Sequence, residues 1–169
     1  MNPDYLLDAN IFIQASRMNY PFDIFPGFWE WLDNEQNKGV LSSIIPIGQE
    51  LKNGNDFLSE WAGERMASKW FLSVEEEITQ NEYRKVASWA SSTDQEFKQH
   101  VVEDFLSVAD SWLIAKASAQ KCTIVTHETY EPNRKSKIKI PNVCSAFSIS
   151  CIGITELFRK TRAIFILNQ

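Results

Sequence analysis

Short apolar runs of strand length, separated by helix-length segments, constrain this chain more than any other feature. Tyr5 to Leu7 read as a strand closed by Asp8, and Ile11 to Met18 are apolar enough to enter a packed helix. Val40 to Ser42 form a second short strand, the β-branched run CTIVT at 122–126 a further one, and SISCIG a last candidate. Between them the pattern is helical. Gly27 to Lys38 form an aromatic-faced helix ended by Gly39, whose Phe28, Trp29 and Trp31 offer an apolar anchor or a homodimer face. Ser43 is positioned to cap a helix that tolerates Pro46 in its first turn and carries Gln49, Glu50 and Leu51. From Asp56 to Trp112 the reading is helical almost throughout, with capping-box starts at Ser73-x-x-Glu76 and Thr93-x-x-Glu96. A third box, Ser107-x-x-Asp110, opens the helix that feeds CTIVT; Pro141 starts another helix, and an amphipathic segment begins at Ile154. Strands alternating with helices imply an α/β fold, a small parallel sheet flanked by helices on both faces.

Length and charge narrow this further. At 169 residues the chain is long enough for one domain with a proper core and too short for two, so 1–169 reads as a single domain. A formal net charge of -5 argues against a generally basic nucleic-acid-coating protein, so any polyanion must meet a local basic patch. The densest basic run is NRKSKIK, where Arg134, Lys135, Lys137 and Lys139 are candidate RNA-phosphate contacts, or else a solvated loop. Cys122, Cys144 and Cys151 form no CxxC pair, which indicates neither a disulfide framework nor a zinc cluster and fits reduced thiols in a cytosol. MNPDYLLDAN lacks a basic leader, and no apolar run reaches membrane-span length; the expectation is a cytoplasmic protein without a membrane partner.

Ligands of open parallel sheets sit beyond the carboxyl ends of the strands. Asp8 ends the first strand, His127 and Glu128 follow TIVT, Asp110 opens the helix leading into that strand, and Glu50 lies on the helix after strand two. Four acids facing one crevice would repel one another unless divalent cations fill it, with Mg²⁺ or Mn²⁺ the natural occupants. Each acid also has a plainer account. Asp8 or Asn10 can cap a helix, Asp110 can be the N3 carboxylate of its capping box, and Glu50 beside Lys52 can be a solvated acid. His127 reads as an outer-sphere or loop residue, His100 as an exposed helix residue, and the six tryptophans as core or interface.

YLLDANIFI, GQELK, VADSWLIAKASAQKCTIVTHE and KIKIPNVCSAF together, in this order, resemble the PIN-domain family, and more closely the VapC-like ribonuclease toxins of bacterial toxin-antitoxin pairs. The resemblance implies a PIN-like three-layer sandwich and metal-dependent endoribonuclease activity, controlled by a cognate antitoxin, with a homodimer possible. It assigns Asp8, Glu50 and Asp110 to the three core acids that hold one or two ions. Glu128 takes the fourth position, where the wider family more often has Asp, and His127 is a candidate to share its role. Asn10 and Thr126 would steady the carboxylates from the second sphere. Two rivals stand beside this reading. A haloacid-dehalogenase-like phosphatase would want a second Asp where this chain has Asn10, and a non-catalytic PIN-like module would use the acidic crevice to receive a partner's arginine or lysine.

Overall fold

The computed structural model describes residues 2–166. Five strands, β1 (Tyr5–Leu7), β2 (Leu41–Ile44), β3 (Phe71–Leu72), β4 (Thr123–Val125) and β5 (Cys151–Ile152), form one sheet in the order β3-β2-β1-β4-β5. Every pairing is parallel. The connections carry α1 (Ala9–Gln14), α2 (Pro26–Asn37), α3 (Ile45–Lys52), α4 (Phe57–Arg65), α5 (Glu77–Ser91), α6 (Gln99–Ser107), α7 (Ala109–Gln120) and α8 (Ile140–Phe147), and α9 (Ile154–Thr161) follows β5.

Successive residues of a strand point to opposite faces, and in the central strands both sets are buried: Leu6 and Leu7, Ile124 and Val125, and all of Leu41–Ile44. Helices therefore cover both faces, which makes a three-layer α/β sandwich. The chain builds β1, β2 and β3 outward in one direction, then returns to the other side of β1 with β4 and β5. The reversal falls between β1 and β4, so their carboxyl ends flank a crevice that no crossover closes.

Local chemistry explains where the helices start and stop. α2 begins with Pro26 at its first position and ends with Gly39 at φ +76°, where Gly39 N–H donates to Gln36 and Val40 N–H to Glu35. That pair of bonds closes the orphan carbonyls, and the left-handed residue between them favours glycine. Arg65 at the end of α4 donates to Asp33 of α2 at 2.8 and 2.5 Å, and the Trp70 indole adds a bond to the same carboxylate at 2.8 Å. One acid thus ties α2, α4 and the approach to β3 together. α7 is buried nearly all round, down to Lys116 at 1% exposure, whose ammonium reaches Glu76 at 2.7 Å. Such a helix needs no polar face.

Several expectations are corrected. Ser43 does not cap a helix: it lies within β2, and its hydroxyl donates to the Leu7 carbonyl at 2.7 Å. None of the three expected capping boxes forms. The Ser73 hydroxyl accepts from Glu75 in a local turn, Thr93 enters a short 3-10 turn capped by Ser92, and the Ser107 hydroxyl turns back to the Asp104 carbonyl. A reciprocal box does form at Asp56 and Ser59, with the acid at the cap. Ser73 and Ser107 each found a nearer backbone partner, and beside Thr93 it is Ser92 that takes the cap, the competition that makes such boxes ambiguous in sequence. β3, absent from the sequence reading, interrupts the long helical stretch; two residues show no periodicity, and only pairing with β2 makes them a strand. Phe28 and Trp29 are core residues, stacked against Tyr20 and Phe22, so they offer no free anchor or dimer face.

Gly48 of α3 lies where a Cβ would meet Met66 Sδ at 2.6 Å and Phe71 Cγ at 2.8 Å. Met66 can shift, but the buried Phe71 ring cannot. Gly48→Val is therefore expected to lower unfolding free energy by about 1–3 kcal/mol, the usual cost of overpacking, as measured by urea denaturation.

Candidate functional site

The site is assembled where β1 and β4 end. The Asp8 amide still donates to Val125, as though β1 continued one residue further, while the Asp8 side chain leaves the sheet at 1% exposure. Asp8 occupies the N-cap of α1, yet its carboxylate makes no capping hydrogen bond. Instead Oδ2 accepts from the Thr126 hydroxyl at 2.7 Å, and that hydroxyl in turn accepts from the Glu128 amide at 3.1 Å. Thr-x-Glu after β4 is thus a turn that both grips Asp8 and fixes Glu128.

Asp8, Glu50 and Asp110 line one cavity of about 360 Å³ with Asn10, Asp104 and Lys137. They arrive from β1, α3 and α7, three elements far apart in sequence. Asp110 lies in the first turn of α7, but Ser107 gives it no box partner, and Val108 is the N-cap without a side-chain bond. The capping box expected of Asp110 therefore fails, while Asp8 holds the N-cap position of α1 with its carboxylate turned to Thr126.

Electrostatics agree with the geometry. Burial pushes Asp8 up to about 6, with Glu128 adding to the rise, while the Thr126 bond and the nearby amides of Asn10 and Ala9 oppose it. Burial raises Asp110 to about 7, helped by the charges of Asp8, Glu128 and Glu50 and opposed by Lys137. Glu50 is raised by burial as well, and the His127 imidazole is lowered by burial.

Glu128 stands apart from the other three. Its Oε1 accepts from Lys137 at 2.5 Å and its Oε2 from the Ile140 amide at 2.8 Å, at the start of α8. The other basic candidates are also engaged. Arg134 pairs with Glu131, Lys135 donates to the Gln95 carbonyl and lies over the Phe97 ring, and Lys139 pairs with Glu131. Each would have to exchange a partner to meet a phosphate. His100 is exposed on α6. The sequence reading missed Asp104, which joins the cavity from α6; its only signal was its place six residues before Asp110.

All-carboxylate donors match the hard-oxygen chemistry of Mg²⁺ or Mn²⁺, and mutual repulsion gives them reason to take one up. Among the described residues no three His, Cys, Asp or Glu side chains converge as a closed ligand set. The donors fit such an ion in kind, though not as a preformed cluster. No helix among the described residues is long and apolar enough to cross a membrane.

Fold and site together define an α/β protein with an acidic crevice at the switch point of a parallel sheet. A family model described as a domain of unknown function, DUF4411, matches residues 5–165, and the chain belongs to that family. No curated protein matches it. Among solved structures, the crystal structure of FitAcB from Neisseria gonorrhoeae is similar at 17% identity and a TM-score of 0.49, covering 88% of this chain and 96% of that one.

A carboxyl that ionises near 7 in the folded chain and near 3.8 when unfolded holds its proton longer in the folded state. Stability then falls as pH rises between those values, because the native state must bury the charge. Asp110→Asn should therefore exceed wild type in metal-free stability by about 1–3 kcal/mol at pH 8, with the gap closing toward pH 4, as read by denaturation at each pH.

Proposed function

We propose that this chain is a Mg²⁺- or Mn²⁺-dependent endoribonuclease of PIN-like type, the toxin of a type II toxin-antitoxin pair. The observation that carries the reading is the meeting of Asp8, Glu50 and Asp110 in one cavity at the carboxyl ends of β1 and β4, with the Asp8 carboxylate bonded to Thr126 and no capping box at Asp110. The resemblance drawn from the sequence motifs points the same way, and the parallel three-layer fold accommodates it.

In this reading Asp8, Glu50 and Asp110 hold the ion. A bound ion would polarise the scissile phosphate and lower the pKa of the attacking water. Thr126 orients Asp8 by donating to Oδ2, which leaves Oδ1 for the ion. Asn10 lines the same cavity and supplies an amide beside the acids. Asp104 adds a further negative charge at the wall, and the apolar Val101, Phe105 and Val108 restrict water around the reacting phosphate. RNA approaching this acidic protein would need the 134–139 run, whose present partners are carboxylates and a backbone carbonyl that a phosphate could replace. Control by an antitoxin, and any homodimer, belong to the same proposal and rest on the resemblance.

A second reading has its own support. The ammonium of Lys137 already lies at the acidic crevice, as a partner's lysine would in a non-catalytic module.

End-labelled single-stranded RNA incubated with the full chain and Mn²⁺ separates the two. Wild type should cleave and stop on addition of EDTA. Asp8→Asn and Asp110→Asn should each lose about 100-fold or more, since even outer-sphere partners of metal sites cost about 10–100-fold. A folded wild type that leaves several RNAs intact with Mn²⁺ and Mg²⁺ would favour the module.

A further inference from the structure

We propose that Glu128 is a positioning residue and not a metal ligand, and that it holds Lys137 as the resident counter-cation of Asp8 and Asp110, which a divalent ion must outcompete. The inference rests on the metal-site reading above and assigns that site a built-in competitor.

Both oxygens of the Glu128 carboxylate are engaged. One oxygen accepts from Lys137 and the other from the Ile140 amide, and the side chain is only 9% exposed. Ile140 opens α8, so the second bond satisfies one of the orphan donors of that helix. An ion taking both oxygens would have to displace Lys137 and compete with the helix N–H of Ile140. The Glu128 backbone is also pinned, through its amide, to the Thr126 hydroxyl.

Lys137 is the one basic side chain among the described residues that line the acidic cavity. An ammonium has three donors, and Glu128 takes one of them. Its field is felt at the acids: Lys137 lowers Asp110, while Glu128, Asp110 and Asp8 together hold the Lys137 ammonium charged against the opposing effect of its burial. The flanking cations are committed elsewhere, Arg134 and Lys139 to Glu131 and Lys135 to Gln95. The charge at the crevice is therefore specific to position 137, and Glu128 sets where it stands.

Calorimetric titration of the full chain with Mn²⁺ tests this in wild type, Lys137→Met, Lys137→Arg, Glu128→Gln and the double variant. Removing the competing charge should tighten Mn²⁺ by roughly three- to tenfold in Lys137→Met, while Lys137→Arg stays near wild type. Glu128→Gln should weaken Mn²⁺ in the wild-type background, where it frees Lys137 to pair with Asp110, and change it little in the Lys137→Met background. A double-mutant cycle isolates that dependence. An unchanged or weaker Mn²⁺ affinity in Lys137→Met overturns the proposal, as does an equal loss from Glu128→Gln in both backgrounds, the behaviour of a ligand. If no variant binds Mn²⁺ at all, the metal-site reading fails, and the counter-cation role is decided in EDTA at pH 8. There Lys137→Met should lower Tm, and Asp110→Asn should remove most of that loss; the same loss in both backgrounds overturns the role.

Discussion

A carboxylate buried at the end of a central strand is the constraint around which this structure is arranged. Asp8 cannot be left unpaired at 1% exposure without a cost of several kcal/mol, about the scale for buried charges. The fold answers with one short bond from Thr126, supplied by the neighbouring parallel strand. That bond needs β1 and β4 adjacent and in register, with Leu7 opposite Val125, and it needs the chain to reverse its direction of sheet growth at that boundary. One hydrogen bond therefore couples the topology to the chemistry of the crevice.

Asp8 is buried and Asp110 half-buried beside it, with the more exposed Glu50 and Asp104 on the same cavity, which works against stability of the ion-free protein. Asp110 is displaced furthest, because burial and three neighbouring acids act on it together. Such an arrangement persists where a positive charge is expected to arrive. The chain brings two answers to that demand, a carboxylate set suited to a hard cation and the lysine of its own 134–139 loop. In the proposed function, which of them occupies the crevice decides whether an ion can enter.

The scaffold holding this site draws its strength elsewhere. Trp70 packs edge to face against Trp61 and Phe12, which lie tilted on each other, and Asp33 joins α2 to α4 and Trp70 by charge-assisted bonds. α7 is gripped along its length by α5, with the Lys116 and Glu76 pair at their contact. Since Asp110 leads α7 and Glu50 rides on α3 against β2, the acids are carried by the most tightly packed elements. Loop residues supply Glu128 and Lys137, and Glu128 is held there by Thr126 and the Ile140 amide.

Much of the fold was legible in the sequence, because apolar runs such as YLL and CTIVT have few places to go in a chain of this length. Parallel pairing followed from the helices between them. Asp8, Glu50 and Asp110 could be named as well, since an acid at a strand end or in a helix first turn carries a positional signal. Their meeting in one cavity belonged to the tertiary structure, as did the failure of the capping boxes, because a serine hydroxyl chooses among backbone partners only when the turn around it exists. Thr126 acquired its meaning in the same way, bridging Asp8 and Glu128 across 118 and 2 residues of sequence. Glu128 shows the limit most clearly. Its type and spacing marked it as a fourth acid of the cluster, but the fold placed Lys137 and the first amide of α8 against its two oxygens, and proximity in space decided what a carboxylate of that spacing could do.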